Sequence, residues 1–102
     1  SIIIILPYII MNITQSTRKG KRFLATFKDG TKIHFGQAGG STYIDHGDEK
    51  KREAYIARHG GGGRENWKSP YTAGALSRWI LWGPFKQLEA NVGFFKSMFR
   101  LG

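Results

Sequence analysis

The chain has 102 residues, of which 40% are hydrophobic and 14% aromatic, so it can bury one small core and no more. Lys and Arg number 16 against 7 Asp and Glu, a net charge of +9, which points to anionic partners such as a nucleic-acid backbone or an acidic protein face. With no cysteine, disulfide staples, thiolate zinc sites and cysteine nucleophiles are excluded together, and the length excludes a large multidomain enzyme.

Residues 1–10 read SIIIILPYII; eight are apolar and none is charged. A membrane span needs roughly 20 apolar residues, and Pro7 interrupts this run. A signal peptide would have a basic leader and a small-residue cleavage site, so neither a membrane span nor secretion is expected. Two readings stand. Ile2 to Leu6 form a β-branched strand, a third strand beside a hairpin or one paired with another chain, in which case Ile2, Ile3, Ile4 and Ile5 are apolar partner contacts. Alternatively, residues 1–10 lie upstream of a natural start at Met11. The remainder, residues 11–102, reads as a single small basic α+β domain.

Lys21 to Phe35, KRFLATFKDGTKIHF, predicts an antiparallel hairpin. Phe23, Ala25 and Phe27 share one face of an extended strand, and Ile33 and Phe35 share one face of the return. Asp29-Gly30 between them predicts a two-residue turn with positive φ at both central positions. Residues 1–17 carry no charged side chain, whereas Arg18, Lys19, Lys21, Arg22, Lys28 and Lys32 stand against Asp29 alone within residues 18–35. These six cations are the candidate site for polyanion or acidic-partner binding. The competing reading is an edge strand kept soluble by its charges.

Gly36 to Tyr43, GQAGGSTY, is neither a P-loop nor a dinucleotide fingerprint, so it reads as a structural turn and no cofactor is expected. Asp48 to His59 predicts a surface helix, with Asp45 or Gly47 as the N-cap and Tyr55 and Ile56 packed inward. Gly60 to Gly63 end it. Thr72 is the expected N-cap of a second, largely buried helix through Trp82, with Leu76, Trp79 and Ile80 on one face. Gly83-Pro84 stops that helix. A last helix is expected from about Phe85 to Phe99, with Leu88, Val92, Phe95 and Phe99 as its core stripe. Phe94 and Met98 flank the stripe as candidate apolar partner contacts. The expected core comprises Phe23, Phe27, Ile33, Phe35, Tyr55, Ile56, Trp67, Leu76, Trp79, Ile80, Leu88, Val92 and Phe95.

His34, His46 and His59 do not form a metal-ligand spacing, and no metal is expected. No Ser-His-Asp order or paired-carboxylate site stands out.

The strings KRFLATFKDGTKIHFG, YIDHGDEKKREAYIARH, ENW and TAGALSRWILW resemble a small uncharacterised family found mainly in nucleocytoplasmic large DNA viruses and some protists. The resemblance covers residues 21 to about 99; Arg58-His59 with ENW, and TAG with SRWILW, are its most specific pieces. The chain departs from it after Trp82, where GPF follows, and in the glycine run at 60–63. The resemblance implies no chemistry, but it does imply a viral or virus-derived setting. Tyr43, Tyr55, Arg58, His59 and Glu65 also resemble, in part, the GIY-YIG nucleases, which set a tyrosine base, an arginine and a metal-binding glutamate around a phosphodiester. A GIY-like first strand and a glutamate on a later helix are not evident.

The expectation is an α+β fold: an N-terminal hairpin packed on about three helices. The expected function is non-catalytic: a minor capsid-associated cement or adaptor protein of a large DNA virus particle, located in the virion, with capsid or other virion proteins as partners. The alternative is sequence-nonspecific binding to a DNA or RNA backbone, and a GIY-YIG-like nuclease is the weaker one. Oligomeric state is not legible. Docking by surface attraction needs the cations crowded together and the tryptophans hidden. Scattered cations, or Trp79 and Trp82 bare around a polar cleft, would redirect the reading to a pocket.

Overall fold

A computed structural model describes residues 11–60 and 66–101. Three antiparallel strands lie in the order β1 (Met11–Gln15), β2 (Lys21–Phe27) and β3 (Lys32–Gln37). They are followed by α1 (Tyr43–His46), α2 (Glu49–Gly60), α3 (Ala73–Leu76) running directly into a π-helical turn (Ser77–Leu81), and α4 (Leu88–Met98). This is an α+β fold with one face of a meander covered by helices. The Ile2–Leu6 segment lies outside the described residues.

The expected hairpin forms, but its register is shifted by one residue from the one a two-residue Asp29-Gly30 turn would set: Phe23 pairs with Phe35 and Ala25 with Ile33. Its turn differs. Gly30 is left-handed at φ 91° but Asp29 is not, and the Gly30 N–H bonds the Phe27 carbonyl at 2.9 Å. The connection is therefore a three-residue loop ending in a glycine bulge, because the Asp29 carboxylate accepts the Thr31 N–H at 2.9 Å and favours a right-handed aspartate. The third strand is MNITQ, an element not among those expected, although Met11 and Ile13 alternate with Asn12 and Thr14. Its register sets Met11 opposite Phe27 and Ile13 opposite Ala25, on the face that carries Phe23 and Phe35.

Against that face pack Leu76, Ile80, Leu81 and Phe95, with Met11, Ala25, Phe27 and Phe35 beneath them. Burying one such Leu, Ile or Phe side chain contributes about 1.5–3 kcal/mol. Phe23, Ile33, Trp79, Leu88 and Val92 join this core as half-buried members, while Tyr43 and Leu81, not expected there, are buried. Ile56 and Trp67 are half-buried.

The helix ends are set by polar side chains. Asp48 caps α2, its carboxylate accepting the Lys50 N–H at 2.9 Å and the Lys51 N–H at 3.3 Å. The expected caps do other work. Asp45 belongs to the capping box of α1, and Gly47, at φ 64°, closes that helix. Thr72 caps α3 as expected, accepting the Ala75 N–H at 3.0 Å. The last helix begins later than expected, because Asn91 pulls Phe85 out of it. The fully buried Asn91 amide donates to the Phe85 carbonyl at 2.8 Å and the Ile80 carbonyl at 2.9 Å, and its oxygen accepts the Phe85 N–H at 2.9 Å. Phe85 thus satisfies its backbone N–H and carbonyl through a side chain rather than through a helical ladder.

Candidate functional site

The six hairpin cations do not form one patch. Arg18 and Lys19 sit in the β1–β2 turn and Lys21 and Arg22 open β2, whereas Lys28 lies in the β2–β3 turn and Lys32 opens β3. A seven-residue strand separates the two ends by about 20 Å. Arg22 is also committed elsewhere: both of its terminal nitrogens donate to the Asp45 carboxylate at 2.7 Å. That two-pronged contact, with the Thr42 N–H and hydroxyl, holds the Asp45 carboxyl far below the usual carboxylate range. On the outer face of the sheet, His34 shares a 2.7 Å hydrogen bond with Ser16. Desolvation, then Arg18, Lys21 and Lys32, keep its imidazole below the ordinary value. Of the apolar candidates, Met98 is 38% exposed, whereas Phe94 is half-buried in a run of rings between Trp79 and Phe85. Ile2, Ile3, Ile4 and Ile5 lie outside the described residues.

Lys21 instead faces a cleft of about 460 Å³ walled by α2, by the loop after β3 and by the π-helical turn. Arg58 and His59 come from the end of α2, Gly40, Ser41 and Thr42 from the loop, and Gly74, Ser77, Leu81 and Trp82 from the third wall. A smaller hollow of about 260 Å³ adjoins it, sharing Ser41, Arg58 and Trp82 and adding His46, Lys51 and Ala54. No carboxylate is among the described residues lining either hollow, and no hydrogen bond or ion pair engages the charged ends of Lys21, Lys51 or Arg58 among the described residues. The pieces that carry the family resemblance, Arg58-His59 and Ser77 to Trp82, meet here.

A column of rings backs the cleft. His59 stacks on Tyr55 with centroids 4.3 Å apart, Tyr55 stacks on Trp82 at 4.4 Å and 5° from parallel, and His46 leans on Trp82 at 5.4 Å. The π turn brings Trp82 there. The Trp82 N–H bonds the Ser77 carbonyl at 3.0 Å, five residues back. One residue more per turn rotates the downstream residues by roughly 100° relative to a regular helix. Two arginines hold that end of the turn. Arg78 donates to the Trp82 carbonyl at 3.0 Å, and Arg52 donates to the Trp82 and Gly83 carbonyls at 3.2 and 2.9 Å. Arg78 is buried, its guanidinium against the rings of Trp67 and Trp79.

Of the residues resembling a nuclease centre, Tyr55, Arg58 and His59 share the cleft. Tyr43 does not line it; it is buried, with its hydroxyl donating to Glu49, and Glu65 lies outside the described residues. Among the described residues no group of three or more His, Asp and Glu could hold a metal ion, and no helix is long and apolar enough to cross a membrane. Lys51, Ser41 and Trp82 are site residues that the sequence reasoning missed. The available signal was the spacing of Lys51, Tyr55 and Arg58, which at i, i+4 and i+7 places them on one helix face.

No solved structure matches this fold. An uncharacterized protein of Acanthamoeba polyphaga mimivirus is 40% identical over 80 residues, covering 71% of this chain and 80% of the relative. The model of a family of unknown function, DUF5754, matches residues 11–59, which span the whole sheet and nearly all of α2. With that match and that relative, the chain belongs to the DUF5754 family of unknown function and is similar to a giant-virus protein.

Proposed function

We propose that this is a non-catalytic polyanion-binding protein of a large DNA virus, contacting nucleic-acid phosphates without reading bases. The observation that carries the reading is the cleft: Lys21, Lys51 and Arg58 converge on connected hollows with no lining carboxylate among the described residues. Phosphates lose little by entering such a surface and gain charge-assisted hydrogen bonds. The π-helical turn in its wall supports the assignment, since such turns are frequent at functional sites. The mimivirus relative supports the viral setting. Filter binding across a salt series tests it. With Lys21, Lys51 and Arg58 as the contacts, affinity for single strands should fall with a log–log slope of about −2, and for duplex about −3. Absence of binding to either at low salt would overturn the reading.

A second reading is a virion adaptor docked on capsid or other virion proteins. It is favoured by the exposure of Tyr71, Phe85 and Met98, at 48%, 46% and 38%. Mass spectrometry of purified particles should then find the protein at a copy number fixed by shell symmetry. Its absence from particles would remove this reading.

A further inference from the structure

We propose that the two hollows together take a single-stranded polynucleotide, two nucleotide units at a time, with the phosphate that joins them on Arg58. This rests on the reading of the groove as a phosphate surface and adds which nucleic acid it selects. Lys21 borders only the larger hollow and Lys51 only the smaller, while Arg58 borders both. The cations thus follow one another along the groove in the order Lys21, Arg58, Lys51, as successive phosphates do along a strand. The larger hollow, about 460 Å³, is of the size that encloses a small ligand, and the smaller, about 260 Å³, is just below that range. Trp82, with one face on Tyr55, borders both hollows and gives each an apolar wall for a base. The exposed Ser41 also borders both and can bond the same linking phosphate. A duplex offers its phosphates on a convex rod and keeps its bases paired inside, so it cannot place a unit in each hollow. A single strand can bend into the groove and lay bare bases against the indole.

The test is fluorescence anisotropy competition using thymidine monophosphate, oligothymidylates of two to four units and a short duplex. Affinity should rise about tenfold or more from one unit to two, as a second base finds its wall, by a smaller step from two to three, as a third phosphate meets the remaining lysine, and by less than about twofold beyond. Arg58→Ala should abolish the step from one unit to two, Arg58→Lys should restore most of it, and the single strand should outcompete the duplex. Equal affinity for monophosphate and dinucleotide would overturn the proposal in favour of a free-nucleotide pocket. Duplex binding as tight as single-strand binding, with Arg58→Ala still weakening both, would overturn the proposal while leaving phosphate binding by the groove intact. Failure of every ligand to bind would overturn both.

Discussion

In the hairpin, Arg18 through Lys32 are close in the chain, yet the strand reversal sends them to opposite ends of the sheet, and Asp45 takes Arg22 out of the set. In the cleft, Lys21, Lys51 and Arg58 come from a strand and a helix that are distant in sequence, and they converge where no carboxylate of the described residues lines the wall. Charge density along the chain and charge density in space are therefore different quantities. An anion responds to the second, because the attraction falls off with distance through solvent and is cut short within about 10 Å by salt.

The largest way to break the contrast is to remove the cleft's third wall. A methyl group on Gly83 would sit 2.1 Å from the Trp79 carbonyl oxygen and 2.8 Å from the Asn91 amide, so the turn carrying Trp82 could not close on α4. Gly83→Ala is expected to cost about 4 kcal/mol or more, read as a large fall in thermal midpoint with loss of polyanion binding. A variant of wild-type stability would show that the turn is not held as described.

A finer test moves charge without moving structure. The double change Lys21→Ala with Arg58→Ala should weaken binding of single-stranded nucleic acid by about tenfold to a hundredfold, with little change in melting. Lys28→Ala with Lys32→Ala should weaken it by only about twofold, through the long-range field. Equal losses from the two pairs would return the binding surface to the hairpin.

The smallest expected effect separates the Arg22 that builds structure from the cations that serve binding. Asp45 titrates lower in the folded chain than in the unfolded one, so as pH falls the unfolded state takes up the proton first. Its contribution is fully present above about pH 5 and is lost progressively as pH falls from there towards the far lower range in which the folded carboxyl takes up its proton. Both partners are part-exposed, at 24% and 34%, so the contribution is about 1 kcal/mol after solvent screening. Asp45→Asn should lower stability by that amount at pH 7 and flatten the acid side of the stability profile. Nucleic-acid affinity should stay the same or rise slightly. An unchanged acid limb would show that the pair does not hold in solution.

Local chemistry made much of the fold legible. The alternation of Phe23, Ala25 and Phe27 with their neighbours, the Thr72 cap and the i, i+4, i+7 stripe of Leu88, Val92 and Phe95 each depend on residues a few positions apart, and each appears where the pattern places it; the Asp29-Gly30 reversal also forms, though as a three-residue loop. The boundary of α4 was not legible. It depends on the Asn91 amide finding carbonyls eleven and six residues away. The sense of the charged hairpin was not legible either, because Arg22 meets Asp45 across 23 residues.

Sequence by itself determined the antiparallel hairpin, the helical second half, the single core and the excess of positive charge, because periodicity and composition act through neighbours in the chain. Tertiary structure alone decided which cations meet and that Trp82 lies flat on Tyr55. It also decided that a π turn, rather than a regular helix, carries the residues of the cleft. Those outcomes arise from side chains competing for the same carbonyls, rings and carboxylates, and the contest is settled only once distant segments are packed together.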